Sequence, residues 1–314
     1  MSNPVQSDTH IADVFARQET TFSFEFFPPK TDEAWKRLLA SMRDFELLGP
    51  SFVSITYGAG GTTRERTHEL VLGIRTETNL LAVPHLTAVC HTRAEVWSML
   101  EAYAGYGISN VMALMGDPPG EESGVDCRRG DFEHAVDLVR LVREFNAAGL
   151  HPGPRGFGIG VAGFPEGHPA TPNRLRETEY LKQKVEAGAD YICTQLFFDN
   201  HDFYDFAERC EVAGIDVPII AGLMPIVSRR NYRRIPDFAL GARYPAELQR
   251  RMAACTTDEE AAEVGISWTA EQASDLLEHG VRGLHLYVLN RAGVAKEVYR
   301  RVGLLPYNAA DPEA

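Results

Sequence analysis

The stretch FSFEFFPPK, from Phe22 to Lys30, is an aromatic run that two prolines end. Its apolar residues do not alternate strictly with polar ones, which is typical of a strand buried on both faces. Because proline cannot donate to a sheet's hydrogen-bond ladder, the strand is predicted to stop at Pro28. The sequence DEAWKRLLASMRDFELLG comes soon afterwards, with its apolar residues spaced as on one face of a helix. A strand followed by a helix is therefore the unit that decides the fold.

Eight such apolar runs occur along the chain, and amphipathic stretches typical of helices separate them. Strands that are hydrophobic on both faces and alternate with helices predict a parallel sheet covered by helices. Eight of these units close naturally into a (β/α)8 TIM barrel, which is an α/β fold. The runs begin at Thr21, Phe52, Ala82, Asn110, Gly158, Tyr191, Pro218 and Gly283.

The chain is predicted to be a single domain, because no linker rich in Pro, Gly or Ser and no internal repeat interrupts this alternation. Residues 21-305 are assigned to the barrel. Residues 1-20 form a polar lead-in with one short amphipathic helix, and residues 306-314 form a C-terminal tail. The interval from Arg229 to Gly280 is long enough to hold more than one helix before the last strand.

Composition and charge exclude several classes of function. The 314 residues carry a formal net charge of −13, and an acidic surface repels nucleic-acid phosphates, so no nucleic-acid partner is expected. No apolar run reaches the ~18 residues of a membrane helix, and no signal pattern begins the chain. The five cysteines form no CxxC pair, which indicates free thiols and a cytoplasmic location. No HExxH or paired CxxC spacing indicates a metal site.

Glu25 is the most unusual residue of the first strand, because it is a carboxylate surrounded by phenylalanines. Desolvation among aromatic rings would raise its pKa and keep it protonated near neutral pH. A carboxyl group in that state suits a general acid. The alternative is a glutamate at the rim of the strand that simply reaches solvent.

A second carboxylate stands at the end of the fourth run, in the sequence MGDPPG, where Gly116 precedes Asp117. Active sites of barrels lie where strands end and the following loops begin, so both carboxylates are expected at the same mouth. The alternative for Asp117 is a turn-forming residue before proline, which is common.

Other polar residues follow the remaining strands. The loop YGAGGTTRERTH, from Tyr57 to His68, runs into a helix whose N–H groups could hold a phosphate, or it is only a flexible loop. His168 stands in the sequence FPEGHP. Gln195 interrupts a buried run, where its amide needs hydrogen-bond partners, either on the edge of a bound heterocycle or on backbone groups. GFGIGVAG fits a dinucleotide-binding spacing formally, but its glycines lie inside an apolar run and no helix follows them directly, so that function is rejected.

Seven segments together closely resemble the methylenetetrahydrofolate reductase family, over the range from about Phe22 to Leu304. They are FSFEFFPPK, FVSITYGAGG, PHLTAV, MALMGDPPG, VAGFPEGHP, EAGADYICTQLFFD and LHLYVLNRA, in this order. The resemblance implies a barrel that binds FAD noncovalently and reduces 5,10-methylenetetrahydrofolate to 5-methyltetrahydrofolate with NADH or NADPH. The product supplies the methyl group for methionine synthesis. Members of the family often form homo-oligomers, so a homo-oligomer is compatible with the resemblance.

The resemblance also implies roles for individual residues. Glu25 matches the general acid, and Asp117 matches the aspartate beside both flavin and folate. Gln195 matches the glutamine that binds the folate and meets the nicotinamide, and Tyr287 and Arg291 match positions on the substrate side. The residues that match FAD-binding positions are Thr56, Tyr57, Ala59, His85, Met115, Gly116, Asp117, His134, Ala135, Phe164, His168 and Lys184.

The chain departs from the family pattern at two informative positions. Met115 stands where the family usually has arginine, and the loss of a charge-assisted bond predicts weaker flavin binding. Arg229 stands where an aromatic residue is frequent, with Tyr232 as the candidate replacement. These departures support one alternative, a flavin-free reductase that transfers hydride directly to the folate. A second alternative is a non-catalytic protein that binds folate or flavin and regulates or completes a complex with a true reductase.

Overall fold

The computed structural model describes residues 9–57, 64–118, 130–239 and 241–305. Eight parallel strands form a closed barrel in which each strand pairs with the next and the last pairs with the first. The predicted (β/α)8 TIM barrel is therefore confirmed. The strands are β1 (Thr21–Phe26), β2 (Phe52–Ile55), β3 (Ala82–Thr87), β4 (Asn110–Leu114), β5 (Gly158–Gly163), β6 (Tyr191–Thr194), β7 (Ile219–Leu223) and β8 (Gly283–Leu286).

Helices alternate with these strands and cover the outside of the barrel. Three of them, α8 to α10, occupy the long interval before the last strand, as predicted. The helices are α1 (Ile11–Arg17), α2 (Asp32–Leu47), α3 (Arg64–Glu77), α4 (Arg93–Gly105), α5 (Ala135–Ala147), α6 (Arg174–Glu186), α7 (Asn200–Val212), α8 (Arg229–Phe238), α9 (Ala246–Ala254), α10 (Asp258–Glu278) and α11 (Ala292–Val302).

The helix starts follow from side chains that cap free backbone N–H groups. Thr31 accepts a hydrogen bond from the N–H of Ala34 at the start of α2. Thr92 and Thr257 begin α4 and α10, and each forms a capping box with the glutamate three residues later. These caps satisfy donors that the first turn of a helix leaves unpaired.

The strands are hydrophobic on both faces because each face packs against a different part of the core. β2, β6 and β8 are buried at every position. Outward side chains meet the covering helices, as where Phe26 packs against Phe45 of α2 at 4.7 Å between ring centroids. Inward side chains fill the barrel, which is a packed interior in this fold.

The short amphipathic helix predicted in the lead-in is α1, and it packs against the amino-terminal end of the barrel. Ile11 and Phe15 are buried there in one apolar cluster with Phe52 and Tyr191. The side-chain oxygen of Asn110 accepts a hydrogen bond from the N–H of Ile11 at 2.7 Å. The lead-in therefore contributes to the core of the protein.

The cysteines do not all match the prediction. Cys193, Cys210 and Cys255 are free and buried, whereas Cys90 is disulfide-bonded. The expectation of free thiols throughout is therefore wrong at Cys90, whose pairing no CxxC pattern in the sequence indicates. Within the four described ranges, no helix is both long and apolar enough to cross a membrane.

Candidate active site

A cavity of about 610 Å³ opens at the carboxyl ends of the strands, where sites of this fold lie. Its volume is typical of sites for small molecules and cofactors. Most of the residues predicted from the sequence as site residues line this one cavity, although they come from segments far apart in the chain. They are Glu25, Thr56, Tyr57, His85, Met115, Gly116, Asp117, Ala135, Phe164, His168, Lys184, Gln195 and Tyr287.

The carboxylate of Glu25 faces two imidazoles. Its Oε2 atom lies 3.4 Å from Nε2 of His85 and 3.9 Å from Nε2 of His285, and its side chain is only 20% exposed. Burial by itself raises the pKa of Glu25, but the contacts with His285 and His85 outweigh burial and lower that pKa to about 2. Glu25 is therefore ionised near neutral pH.

The predicted rise in the pKa of Glu25 is wrong, because the phenyl rings of β1 do not surround the carboxylate. Neighbouring side chains of a strand point to opposite faces. The rings of Phe24 and Phe26 both pack against Phe45 on the outside of the barrel. Glu25 points to the inside, where its neighbours are polar and can carry charge.

A buried polar group next to Glu25 was missed in the sequence. His285 of β8 is 1% exposed, and its Nδ1 atom lies 2.7 Å from Oγ of Ser23. Its Nε2 atom lies 3.3 Å from Oγ of Ser54, which is itself 3.5 Å from Oε2 of Glu25. The barrel register brings these residues together, since Ser23 is paired with His285 and Glu25 with Ser54. The signal available in the sequence was a lone histidine in the apolar run GLHLYVL.

Gly116 and Asp117 follow β4 at the rim of the cavity. Gly116 has a φ of +80°, and a Cβ atom there would lie 2.8 Å from Cγ1 of Val89. Only glycine adopts this backbone without strain, and its missing side chain leaves the backbone open to a ligand. Asp117 is exposed, so its carboxylate is free to face a molecule in the cavity.

Two basic side chains lie at the β5 and α6 side of the cavity. Lys184 donates a hydrogen bond to the carbonyl of Ala162 at 2.7 Å. Burial lowers the pKa of Lys184 to about 8, and the charge of Glu177 opposes that shift. Burial also lowers the pKa of His168, against the opposing charge of Asp117. This side of the cavity therefore suits an anionic group, which would favour the charged form of Lys184.

Gln195 and Tyr287 lie at the ends of β6 and β8. The Oε1 atom of Gln195 accepts a hydrogen bond from the backbone N–H of Leu196 at 2.9 Å. The hydroxyl of Tyr287 donates to the carbonyl of Thr194 at 2.8 Å. Both side chains are held by backbone groups while they line the cavity.

Among the described residues, two predicted site residues, His134 and Arg291, do not line the cavity. Ala59 lies outside the described residues, as do Thr62 and Thr63 of the same glycine-rich loop. His134 precedes α5 and stacks on the ring of Tyr180 at 5.9 Å. Arg291 is exposed at the start of α11. The roles of these residues therefore stay predictions.

The cavity also includes residues that the sequence reading did not assign to the site. Oγ1 of Thr87 is buried without a hydrogen-bond partner in the described part of the chain. Thr87 and the predicted site residue His85 lie two residues apart on β3, and this spacing places them on one face. The further lining residues are Thr87, Val89, Met112, Ala113, Leu114, Ala162, Pro169, Cys193, Leu196, Met224, Phe238 and Leu289.

Neither candidate for the missing aromatic position lines the cavity. The guanidinium of Arg229 donates to the carbonyl of Thr256 at 2.7 Å, and Tyr232 packs on the ring of Tyr244 at 4.4 Å. Phe238, at the end of α8, lines the cavity instead and is 48% exposed. Among the described residues, no group of three or more His, Cys, Asp or Glu could hold a metal ion.

The cavity lies at the strand ends of a closed (β/α)8 barrel, and two carboxylates and two basic side chains surround its mouth. These features place the protein in the class of TIM barrels with a small-molecule site at that end. The model of the family described as methylenetetrahydrofolate reductase matches residues 10–303. The chain belongs to the methylenetetrahydrofolate reductase family.

Individual relatives support the same assignment. The chain is 36% identical over 287 residues to "5,10-methylenetetrahydrofolate reductase" of Escherichia coli (strain K12), covering 90% of this chain and 91% of that protein. It is 37% identical over 306 residues to "Methylenetetrahydrofolate reductase (NADH) 1" of Arabidopsis thaliana, covering 94% of this chain. The match covers 50% of that plant relative, so the chain spans about half of its length.

A solved structure is similar in fold. It is described as an uncharacterized protein from Clostridium thermocellum that binds two copies of 5-methyl-5,6,7,8-tetrahydrofolic acid. The TM-score is 0.61 with 14% sequence identity, and the match covers 94% of this chain and 98% of that one. At this identity the similarity supports the barrel fold alone.

Proposed function

We propose that this protein reduces 5,10-methylenetetrahydrofolate to 5-methyltetrahydrofolate with NADH or NADPH, through a noncovalently bound FAD. Membership of the family supports this reaction. The observation that carries the proposal is the convergence of Glu25, Asp117 and Gln195 on one cavity. These three residues match the family's acid, its aspartate beside the flavin and its substrate glutamine.

The residues around the cavity fit a flavin cofactor. Oγ1 of Thr87 is a buried polar atom that lacks a hydrogen-bond partner in the described ranges, and a heteroaromatic ligand edge would satisfy it. Gly116 lets a ligand approach the backbone, and Lys184 and His168 would hold the anionic part of the cofactor. The chemistry that a bound flavin supplies is acceptance of a hydride from the nicotinamide and its delivery to the folate.

The polar residues that line the cavity each have a role in the proposed reaction. In this proposal the bound substrate covers the carboxylate of Glu25 and raises its pKa above the value of about 2 that the two imidazoles set, so that it takes up a proton. Glu25 then gives that proton to a nitrogen of the substrate as the five-membered ring opens, which creates the electrophilic methylene carbon. The negative charge of Asp117 stabilises the cationic form of the opened substrate. Gln195 and Tyr287 orient the substrate, and the ring of Phe238 is placed to stack on it. Arg291 is a proposed contact for the outer part of the substrate.

Met115 makes FAD binding weaker in this proposal than in relatives with arginine at that position. The thioether side chain of Met115 lines the cavity and packs against the core, and it offers no charge to a phosphate. Gel filtration of the purified protein tests this expectation. FAD is expected to dissociate during the run, whereas stoichiometric FAD that stays bound would contradict weak binding.

The decisive experiment measures turnover of the purified full-length chain under anaerobic conditions with FAD added. Oxidation of NADH and of NADPH is followed with 5,10-methylenetetrahydrofolate as acceptor, and the 5-methyl product is identified by mass spectrometry. Product formation that depends on added FAD supports the proposal. Product formation without flavin would favour direct hydride transfer, and the absence of product with either nicotinamide would favour a non-catalytic binding protein.

The location and assembly of the protein remain expectations. A cytoplasmic location is proposed from the family and from cysteine usage, with the disulfide at Cys90 as the opposing observation. A homo-oligomer is proposed from the family. Light scattering of the purified chain would measure its mass directly.

A further inference from the structure

Two separate elements form one wall of the cavity. The loop that follows β5 supplies Phe164, His168 and Pro169, and the end of α8 supplies Phe238. Within the loop, the rings of Phe164 and His168 meet at 4.7 Å between centroids. Because the loop and α8 belong to different parts of the chain, the width of the cavity between His168 and Phe238 depends on what joins these two elements.

A buried glutamate of the same loop makes that connection. Oε1 of Glu166 accepts a hydrogen bond from the backbone N–H of Arg243 at 2.8 Å and a second one from its Nε at 3.4 Å. The side chain of Glu166 is only 6% exposed, whereas that of Arg243 is 60% exposed. Loss of the partner of a buried acceptor costs ~1–3 kcal/mol, so the Glu166–Arg243 contact holds the loop in place.

Arg243 belongs to the short segment between α8 and α9, and this segment is fixed to its surroundings. The hydroxyl of the next residue, Tyr244, donates to the carbonyl of Tyr232 in α8 at 2.6 Å. The ring of Tyr244 packs on Phe198 at 4.8 Å. The guanidinium of Arg243 donates to Asp202 of α7 at 2.6 Å. The Glu166–Arg243 contact therefore links the loop after β5 to α8 and α7.

A backbone contact lies beside the hydrogen bonds of Glu166. Gly241 has a φ of +93°, and a Cβ atom there would lie 3.1 Å from the carbonyl oxygen of Gly167 and 3.5 Å from Cγ of Pro169. Pro169 is part of the cavity lining. The loop and the segment after α8 are thus packed so closely that a methyl group could enter only if the neighbouring atoms moved.

The surroundings of Glu166 favour its neutral form. Burial raises the pKa of Glu166 to about 7, the charge of Asp202 acts in the same direction, and the hydrogen bonds and charge of Arg243 oppose the shift. A neutral carboxyl group still accepts hydrogen bonds through its carbonyl oxygen. The contact therefore needs an acceptor at this position and no negative charge, so a glutamine of the same shape can replace the glutamate.

We propose that Glu166 is a positioning residue, whose contact with Arg243 holds His168 and Phe238 at the separation that the bound molecules require. The inference rests on the proposed function, in which His168 holds the anionic part of FAD and Phe238 stacks on the folate. Glu166 itself does not line the cavity, and it acts through the two side chains that do. Its loss is therefore expected to weaken binding and to leave the chemical step intact.

The first test removes the acceptor and then restores it. Glu166→Ala is expected to raise the KM for 5,10-methylenetetrahydrofolate and the dissociation constant of FAD by about threefold to thirtyfold, while kcat stays within about twofold. Glu166→Gln is expected to match the unchanged protein at about pH 6, where Glu166 is mostly neutral. Glu179→Ala is the control, because Glu179 is an exposed glutamate of α6 that does not line the cavity.

The backbone contact provides an independent pair of variants. Gly241→Ala is expected to raise the same two constants, because its methyl group would push against the loop. Gly214→Ala is the matched control, since Gly214 also has a positive φ, of +74°, but a Cβ atom there meets nothing within 4 Å. Equal binding constants for the two variants would show that contact between the loop and this segment does not set the geometry of the cavity.

The kinetic constants separate positioning from a general structural role. A residue that only stabilises the fold would lower the amount of active protein, so kcat would fall while the KM and the FAD dissociation constant stayed unchanged. That result in Glu166→Ala would overturn the proposal. A Glu166→Gln variant as impaired as Glu166→Ala would overturn it as well.

Hydrogen exchange of the full-length protein, measured by mass spectrometry, gives a result without turnover. In Glu166→Ala, residues 164–170 and residues 241–244 are expected to exchange faster together, and unchanged exchange in either segment would contradict the connection. If the unchanged protein makes no 5-methyl product but this coupled exchange is seen, the proposed reaction fails while the connection stands. If it makes the product and Glu166→Ala binds FAD and folate with unchanged constants, the reaction stands and the positioning role fails.

Discussion

Consecutive side chains of β1 point to opposite faces of the barrel wall, and this alternation decides the chemistry of Glu25. Phe24 and Phe26 pack outward on Phe45, while Glu25 points inward to His85 and His285. The carboxylate is consequently stabilised as an anion. The electrostatic state of Glu25 is therefore opposite to the one predicted from the sequence.

Glu25→Gln tests the acid directly. The amide has the same shape but cannot give a proton, so folate reduction is expected to fall by about 10²–10⁴-fold. Oxidation of NADH with a quinone acceptor needs no proton from this residue and is expected to persist. Glu33→Gln is the control, because Glu33 is an exposed glutamate of α2. Equal losses in both reactions would show that Glu25 acts through structure.

Lys184 gives a pH-dependent prediction for cofactor binding. Burial lowers its pKa to about 8, so the ammonium is present below that pH and is lost above it. Binding of FAD, measured by fluorescence quenching, is expected to weaken as the pH rises through about 8. Lys184→Gln is expected to raise the dissociation constant roughly tenfold or more and to remove this pH dependence.

The control for the cofactor prediction is Lys182→Gln, because Lys182 lies on the same helix, its side chain is partly exposed, and it does not line the cavity. Its binding is expected to match that of the unchanged protein at every pH. A dissociation constant for Lys184→Gln that equals the control would show that Lys184 does not contact the cofactor.

At the scale of single elements, β5 shows how glycines in a strand serve packing. Gly160 faces the ring of Tyr191, and a Cβ atom there would lie 2.4 Å from Cζ. Tyr191 is fully buried and also packs against Phe15 of α1 at 5.3 Å, so it has little room to move. The spacing of Gly158, Gly160 and Gly163 therefore reflects close contacts within the barrel, which agrees with its rejection as a dinucleotide-binding sequence.

Gly160→Ala is expected to destabilise the protein by about 1–3 kcal/mol through overpacking against Tyr191. Gly73→Ala is the matched control, because Gly73 lies in α3 and a Cβ atom there meets nothing within 4 Å. That control is expected to stabilise by roughly 0.5–1 kcal/mol, since alanine favours helix. Urea unfolding measures both values, and equal effects for the two substitutions would contradict the packing argument.

For the whole molecule, the buried carboxylates set the response of folding to acid. The pKa of Glu25 falls from its ordinary value of 4.5 to about 2 on folding, so the unfolded chain binds more protons between these values. The stability that Glu25 contributes is complete above pH 4.5 and is lost as the pH falls towards 2. Burial raises the pKa of Glu166 from 4.5 to about 7, so between these values the folded protein binds more protons than the unfolded chain. The contribution of Glu166 to stability is therefore lost as the pH rises from 4.5 to 7.

The free energy of unfolding of the unchanged protein is therefore expected to drop between about pH 5 and about pH 3, with a share of about 2 kcal/mol from Glu25. Urea titrations at about pH 5 and about pH 3 measure the drop. Glu25→Gln is expected to show a shallower dependence over the same interval. An identical dependence in both proteins would show that Glu25 is not a stabilised anion in the folded state.

The features predicted from the sequence are those that depend on local pattern. The eight apolar runs contain the eight strands, and the three helices α8 to α10 fall in the interval expected to hold more than one. The position of Asp117 and Gln195 at strand ends placed them at one mouth, because parallel strands of a barrel end together. The disulfide at Cys90 and the packing of Phe238 into the cavity carry no local signal, so they were not predicted.

The sequence alone determined the order of strands and helices, the barrel class and the family, because hydrophobic periodicity and short motifs are properties of neighbouring residues. Only the tertiary structure decided the protonation state of Glu25 and the identity of its buried partner. Ser23 and His285 are 262 positions apart, and Ser54 and His285 are 231 positions apart. Closure of the barrel through β1 and β8 brings them into contact, and electrostatic interactions depend on distance in space and on burial.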